Sequence, residues 1–275
     1  MSRPILRRSR SHVRSKMKKR KVPTVQVTVN STEPVVSIII PAMNEERTIA
    51  DVIKQARLVH SEQEVIVVAN GCTDRTATIA ASMGATVIWH EQALGHDVGR
   101  TVGTQAAKGS VLLYLDGDMR IAAKHLRPFV NAVLSGTDVA LNRYSGPVQQ
   151  TKAHPVVLAK HVLNTMLARS DLKGASMTAV PHALSRHAVD TLGAECLSVP
   201  PVALAKATTS GLIIETVHEV SVGRMNRKRR KLGEIDPLQP LVIQDHLQAL
   251  QWVISQNGPR CGYTDLGRQR NRVGR

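Results

Sequence analysis

Residues 35–46 read VVSIIIPAMNEE, and this stretch decides the fold class. Its first six residues are almost entirely β-branched, which is typical of a central strand in a parallel sheet that is buried on both faces. The apolar run stops at Pro41, and apolar residues recur at helical spacing from Ile49 onward. The same order of strand, helix and strand continues through residues 64–89. This alternation predicts an α/β fold with a mostly parallel sheet and right-handed crossovers.

A further apolar strand is predicted over residues 111–115, and it ends in Asp116, Gly117 and Asp118. Ligands of such sheets bind outside the carboxyl ends of the strands. Two carboxylates at that edge suit a hard cation such as Mg²⁺ or Mn²⁺, which shares its oxygen ligands with substrate phosphates. The glycine between them would let a ligand approach the backbone closely. Asp and Gly also form ordinary turns, so the tripeptide alone leaves both readings open.

Four segments, residues 36–46, 64–76, 95–109 and 113–118, resemble the nucleotide-binding half of family 2 glycosyltransferases. They occur in the order and spacing of that family. The resemblance implies a GT-A fold, in which helices flank a Rossmann-like, mostly parallel sheet. It also implies an enzyme that moves a sugar from a nucleotide-diphosphate sugar to an acceptor that the sequence does not identify. The basic surface of the chain favours an anionic acceptor.

The resemblance assigns eight positions to nucleotide-sugar binding, and they combine polar groups at strand ends with two arginines: Pro41, Asn44, Glu45, Asn70, Arg100, Asp116, Gly117 and Arg224. Asn70 stands where the family usually has an aspartate, so a preference for uridine stays open because the amide adds a donor and removes a charge. Arg100 aligns with a basic residue that contacts phosphates, and a solvated helix residue is the alternative. Arg224 opens a cationic run, whose alternative is a solvated loop.

The resemblance also implies a divalent metal, Mg²⁺ or Mn²⁺, on the diphosphate. Asp118 is the stronger candidate ligand, with Asp116 on the ribose or on a metal-bound water. His218 is a candidate third ligand, because some GT-A enzymes recruit a histidine from this region. A bound cation would stabilise the negative charge that grows on the leaving diphosphate.

The catalytic base is missing from its usual place. The family commonly has an acidic pair at the start of a helix, where this chain has Pro200-Pro201. Another residue could serve, the reaction could retain anomeric configuration without such a base, or the domain could bind a nucleotide sugar without catalysing. His182 is the first substitute, because an ordinary histidine pKa near 6.5 suits general base catalysis. Asp171 is a weaker substitute.

The net charge of +16 is concentrated in short segments. Residues 1–22 carry ten basic residues and no acidic one, so we expect a solvated tail over residues 1–33. Contact of this tail with an anionic membrane surface is one possible role. The six aromatic residues of the chain, two Trp, three Tyr and one Phe, leave little for base stacking. We therefore expect no specific nucleic-acid partner, although binding of nucleic acid or an anionic surface through the basic tails is a further alternative.

The pattern of apolar and charged residues predicts the domain organisation of the rest of the chain. We expect a nucleotide-sugar-binding half over residues 34–120, an acceptor-side half of the same domain over 121–258, and a loose basic tail over 259–275. An amphipathic helix over 239–254 is expected to pack on the sheet. Three separated cysteines indicate a reducing compartment, and no apolar stretch approaches the roughly 18 to 20 residues of a membrane span, so a cytoplasmic location is expected.

Overall fold

The computed structural model describes residues 29–146, 153–225, 238–264 and 266–267. Their strands form one seven-stranded sheet in the order β3-β2-β1-β4-β6-β5-β7. Strand β6 runs antiparallel to both of its neighbours, and the other pairings are parallel. The strands are β1 (Val36–Ala42), β2 (Gln63–Asn70), β3 (Thr86–His90), β4 (Val111–Tyr114), β5 (Val139–Asn142), β6 (His182–Ser185) and β7 (Ile214–His218).

Helices cover both faces of this sheet. They are α1 (Ile49–Ala56), α2 (Thr76–Ser82), α3 (Val98–Ala106), α4 (Ala123–Leu134), α5 (Pro155–Met166), α6 (Arg186–Leu192), α7 (Pro200–Thr209), α8 (Val222–Met225) and α9 (Leu238–Asn257). Two short 3₁₀ helices lie at Ser170–Leu172 and Ala194–Ser198. None of the helices in the described ranges is long and apolar enough to cross a membrane.

Strand β1 is the centre of the core, as its sequence predicts. Ile38 and Ile40 pack in one apolar cluster with α1 and α4, whereas Ile39 packs in a second cluster on the opposite face. All three isoleucines are fully buried. Because successive side chains of a strand point to opposite faces, only a strand covered on both sides buries such a continuous run.

The last long helix, α9, belongs to a third apolar cluster and does not pack where the sequence predicted. Helix α9 packs against α5 and α7 through Ala249 and Val253, and not on the sheet. Helix α7 lies between α9 and the sheet, because its Ala203 and Leu204 belong to a sheet-facing cluster while Val202 contacts the α9 side.

Other sequence expectations fall differently. Strand β5 was not predicted, and residues 174–181 form a loop up to the start of β6. The predicted tails lie mostly outside the described residues, at 1–28 and 268–275, and so does most of the cationic run that begins at Arg224. Arg224 itself belongs to α8, but its side chain is outside what the structure describes.

Candidate active site

A cleft of about 500 Å³ opens at the carboxyl edge of the sheet. Pro41 at the end of β1, Asn70 at the end of β2 and the Asp116–Asp118 segment after β4 line it together. Leu238, the first residue of α9, also lines it. The sheet therefore brings together three strand ends that are far apart in the sequence, as the α/β topology predicts.

Gly117 packs directly on the end of β1. Its N–H donates to the carbonyl of Pro41 at 3.2 Å, and its carbonyl accepts from the Thr48 hydroxyl at 2.9 Å. A Cβ atom at this position would lie 2.9 Å from the Cβ of Ala42. The glycine is therefore needed for close approach of β1, rather than for the approach of a ligand that the sequence suggested.

The two aspartates that flank Gly117 are half-buried at the cleft. The Asp116 side chain keeps 36% exposure. Burial raises its pKa, and the nearby Arg100 guanidinium opposes that rise. Asp118 lines both the main cleft and an adjoining acidic pocket of about 320 Å³ that also contains Glu45 and Asp74. The carboxylate oxygens of Asp116 and Asp118 suit a hard divalent cation that takes its other ligands from water and phosphate.

His218 does not join these aspartates. Its Nε2 lies 2.9 Å from Nδ1 of His125 on α4, and the two rings stack with centroids 5.2 Å apart. The His218 ring also makes a T-shaped contact with Phe129, with centroids 6.4 Å apart. Among the described residues, no group of three or more His, Cys, Asp or Glu side chains could hold a metal. The third-ligand prediction is therefore not supported, because strand alternation turns His218 toward α4.

Arg100 is buried inside the protein. Its Nη1 lies 3.1 Å from Asp97 and donates to the carbonyl of Met177 at 3.2 Å, and its Nη2 lies 3.7 Å from Asp116. The alternative of a solvated helix residue is wrong, since the side chain is only 5% exposed. The guanidinium is already engaged by protein groups, so it orients Asp116 rather than standing free for phosphate. The i,i+3 spacing to Asp97 was a signal that the sequence analysis missed.

Asn70 holds the loop between β3 and α3. Its Oδ1 accepts from the Leu94 N–H at 2.7 Å, and its Nδ2 donates to the Gly95 carbonyl at 2.9 Å. The side chain is buried, and both ends of the amide are engaged. Asn70 therefore shapes the wall of the cleft, in addition to any contact that its remaining lone pair makes with a ligand.

Hydrogen bonds connect the loop after β1 to the loop after β2. Asn44 has a positive φ of 58°, which asparagine tolerates, and its Oδ1 accepts from the N–H of Thr73 at 2.8 Å. The Glu45 N–H donates to the Thr76 hydroxyl at 2.7 Å, and the Glu45 carboxylate accepts from the Thr48 hydroxyl at 3.1 Å. These contacts keep both loops, and with them Glu45, at the mouth of the acidic pocket.

His182 lies in the core and does not occupy the position of a catalytic base, the role that the sequence suggested. It is 1% exposed, stacks on Tyr114 with ring centroids 4.8 Å apart, and has Nδ1 3.0 Å from the Ala179 carbonyl. Burial, with a smaller contribution from Arg100, lowers its pKa to about 3. The base assignment assumed an exposed imidazole with a pKa near 6.5, and neither condition holds.

Asp171 is also remote from the cleft. It forms a two-pronged ion pair with Arg169, at 2.8 to 3.2 Å, and this pairing lowers the pKa of its carboxyl. Arg169 also donates to the carbonyl of Ile214, the first residue of β7. Because β7 is parallel to β5, its first residue marks the edge of the sheet opposite the cleft. Asp171 is thus a surface ion-pair partner.

Four charged or titratable residues near the cleft were not predicted. Asp97 pairs with Arg100, His96 lines the cleft, and Asp245 of α9 lies close enough to both for their charges to affect its pKa. The fourth is Lys160 of α5, whose pKa is lowered by burial and by the charge of Arg100.

Comparison with known proteins agrees with this architecture. The family model described as glycosyl transferase family 2 matches residues 37–192. The chain belongs to this family. The predictions of this family and of a GT-A-type α/β fold are therefore confirmed.

The similar proteins differ in how much of this chain they match. The low-salt glycan biosynthesis hexosyltransferase Agl6 of Haloferax volcanii is 30% identical over 141 residues, which are 50% of this chain and 33% of that protein. The chain thus spans only about a third of the length of this relative. Glucosyl-3-phosphoglycerate synthase of Mycobacterium tuberculosis is 27% identical over 258 residues, covering 84% of this chain and 75% of that protein.

A solved structure of the same mycobacterial synthase has a similar fold. The crystal structure in complex with Mn²⁺, uridine diphosphate and phosphoglyceric acid has a TM-score of 0.58 and 22% sequence identity. The match covers 85% of this chain and 81% of that one. At this identity the likeness establishes the fold.

Proposed function

We propose that this protein transfers a glycosyl group from a nucleotide-diphosphate sugar that binds in the cleft at the carboxyl edge of the sheet. The observation that carries the proposal is the convergence of Asp116 and Asp118 with the ends of β1 and β2 around one cleft of about 500 Å³. That volume suits a small-molecule ligand. The acceptor is not identified by these residues.

The donor class is supported by the similar mycobacterial synthase, which has been crystallised with Mn²⁺ and uridine-diphosphate-glucose. In this chain, Asn70 replaces the aspartate expected after β2, and its amide is engaged with Leu94 and Gly95. The part of the cleft wall that contacts the nucleotide base therefore differs from the family pattern at Asn70. We propose the diphosphate, rather than the base, as the part of the donor that this cleft recognises most strongly.

We further propose that Asp118, together with Asp116, holds Mg²⁺ or Mn²⁺. When bound, such a cation supplies positive charge to the diphosphate oxygens as the sugar departs. The protein's own contribution is to fix the carboxylates. Gly117 is held between Pro41 and Thr48, and Arg100 lies beside Asp116.

The start of α7 supplies no base in this proposal. Pro200 and Pro201 are buried in its first turn, where proline is well tolerated. His182 is buried in the core, and Asp171 lies at the opposite edge of the sheet, as described above. We therefore propose that any proton acceptor for the incoming hydroxyl comes from elsewhere on the cleft wall. Contact of the basic segments with an anionic membrane, and a cytoplasmic location, stay predictions.

The test is a calorimetric titration of the full chain with UDP, GDP, ADP and CDP, each with and without Mn²⁺. Metal-dependent binding of one nucleotide supports the proposal and identifies the donor base. The sugars of that nucleotide are then screened for hydrolysis and for transfer to hydroxyl compounds. Failure of all four nucleotides to bind would overturn the proposal, and binding without any turnover would leave a nucleotide-sugar-binding domain in place of an enzyme.

A further inference from the structure

The sheet has an uncovered edge at β3. This strand is the first in the sheet order, and among the described residues its only neighbouring strand is β2. Trp89, near the end of β3, is 56% exposed, and Val87, which points to the same face, is half-buried. An exposed edge of this kind pairs readily with a further strand, so proteins usually cover it. The edge of β3 is therefore suited to receive one more strand.

Asn30 places the N-terminal part of the chain at the beginning of this edge. Its Nδ2 donates to the Val65 carbonyl at 3.3 Å, and its Oδ1 accepts from the Val65 N–H at 2.9 Å. Nδ2 also donates at 2.9 Å to the hydroxyl of Thr86, the first residue of β3. The next N–H, of Ser31, donates to the carbonyl of Gln63 at 2.9 Å. The partners on β2 thus step back from residue 65 to residue 63 as the chain advances, so the chain here runs antiparallel to β2 and β3.

The same direction carries the preceding residues along the outside of β3. Strand β3 occupies the edge of β2 from Ile66 onward, where Ile66 is paired with Thr86. Because Ser31 bonds β2 through its backbone and Asn30 reaches β2 through its side chain, the chain lies farther from β2 at Asn30. Val29, the next residue toward the N-terminus, is 74% exposed. Within the plane of the sheet, the path toward the N-terminus therefore follows the free edge of β3.

The sequence of residues 24–28 has the pattern of an edge strand. It reads TVQVT, in which valines alternate with polar residues. A period of two with many β-branched residues is typical of a strand that has one apolar face. The face of β3 that holds Val87 and Trp89 is apolar, whereas Thr86 and His90 make the other face more polar. The two faces of the segment therefore match the two faces of β3.

We propose that residues 24–28 form an eighth strand on the free edge of β3, antiparallel to it, and that this strand holds the basic residues 18–21 at the mouth of the cleft. Segment and strand are both five residues long, about 17 Å each. Val29 then makes the sideways step to Asn30 at the beginning of β3. Pro23 lies beyond His90 at the other end, and proline is tolerated at the start of an edge strand.

The charges at the carboxyl end of β3 are complementary to the segment. Residues 18–21 are KKRK, and the exposed Glu91 directly follows β3. Ala93 and Gly95, in the loop after β3, line the cleft. Basic residues held at this end would therefore attract an anionic diphosphate toward the cleft. This part of the inference rests on the proposed function, whereas the strand itself does not.

The strand is tested by hydrogen–deuterium exchange of the full chain, with mass spectrometry of peptides that cover residues 24–28 and 86–90. Alternate N–H groups of an edge strand face its neighbour, so proline is tolerated only where the N–H faces away. Of Gln26→Pro and Val27→Pro, one should speed exchange in both peptides about tenfold, and the other should leave residues 86–90 unchanged. Each variant is the matched control of the other. Equal effects of the two prolines, or unprotected amides at 24–28 in the wild-type protein, would overturn the strand.

A second copy of the chain is the competing occupant of this edge. Pairing within one chain predicts that the protection of residues 86–90 is the same at all protein concentrations. Protection that rises with concentration, together with a dimer in light scattering, would assign the edge to a second copy and overturn the proposal.

The position of the basic residues is tested with inorganic pyrophosphate and Mn²⁺ by calorimetry. Changing residues 18–21 to Gln should weaken binding about tenfold at low ionic strength and less at high ionic strength. The disruptive proline should weaken binding similarly, and the tolerated one should not. The matched control changes four basic residues farther from the segment to Gln, namely Arg3, Arg7, Arg8 and Arg10.

The outcomes separate the strand from the function of the cleft. An equal loss of pyrophosphate affinity in both fourfold variants would indicate a general charge effect and overturn the position of residues 18–21. A wild-type protein that does not bind pyrophosphate with Mn²⁺ would contradict the proposed function. The exchange pattern of the two proline variants would still decide whether residues 24–28 pair with β3.

Discussion

Nη2 of Arg100 lies 3.7 Å from Oδ1 of Asp116, and this contact joins helix α3 to the end of strand β4. The same guanidinium pairs with Asp97 at 3.1 Å. Asp97 and Arg100 are almost fully buried, whereas Asp116 keeps part of its surface at the cleft. A buried cation thus holds a carboxylate at the candidate metal site, and the site depends on an ion pair within the protein.

Arg100→Ala should strongly destabilise the protein. Removing one partner leaves the Asp97 carboxylate buried without its counter-charge, and such a change costs about 3 kcal/mol. Urea unfolding followed by circular dichroism measures the loss. Arg75→Ala is the control, because its ion pair with Glu46 is on the surface and the Arg75 side chain is 79% exposed. Equal effects of the two substitutions would contradict a structural role for Arg100.

Asp118→Asn should abolish the Mn²⁺-dependent part of nucleotide binding. An amide is neutral and a weaker ligand for a hard cation than a carboxylate. Calorimetric titration with and without Mn²⁺ measures the effect. Asp51→Asn on α1 is the matched control, because that carboxylate is exposed and paired with Lys54 on the surface. An unchanged affinity of the Asp118 variant in Mn²⁺ would remove the metal assignment.

Gly117→Ala should destabilise the protein by about 1 to 3 kcal/mol, because the new Cβ would lie 2.9 Å from the Cβ of Ala42. Ala42→Gly removes the atom that it meets. We therefore expect the double variant to be more stable than the sum of the two single changes predicts, in a double-mutant cycle measured by urea unfolding. Strict additivity would show that the clash with Ala42 is not the cause.

The burial of His182 should make stability depend on pH. Its pKa is about 3 in the folded protein and near 6.5 when unfolded, so between these values the unfolded chain binds more protons. The contribution of His182 is fully present above pH 6.5 and is lost as the pH falls toward 3. Urea unfolding at pH 7 and pH 4.5 should show a smaller acid-induced loss in His182→Phe, which can keep the stack on Tyr114.

His187→Phe is the control for this experiment, because His187 is exposed on α6 and should leave the pH dependence unchanged. The same pair of variants tests the catalytic role that the sequence suggested. If His182 were the base, its replacement would abolish turnover while nucleotide binding stayed intact. We expect the His182 variant to keep activity at pH 7 in proportion to its folded fraction.

The first half of the fold and the position of the site followed from the sequence. The apolar runs that became β1, β2 and β4 are local patterns, and each reports burial on both faces without knowledge of its neighbours. The rule that ligands bind at the carboxyl ends of parallel strands then placed Asp116 and Asp118 at the site. Strand β5 was missed because its sequence, VALN, has only three consecutive apolar residues, whereas the run at residues 111–115 has five.

The roles of individual polar residues were decided only by the tertiary structure. Arg100 donates to Met177, 77 positions away, and Asn70 is fastened to Gly95, 25 positions away. His182 stacks on Tyr114 because β6 pairs with β4 at that register. Periodicity indicates which residues are apolar and which face they share, but whether a polar side chain faces a ligand or a distant protein group depends on partners that only the folded chain brings together.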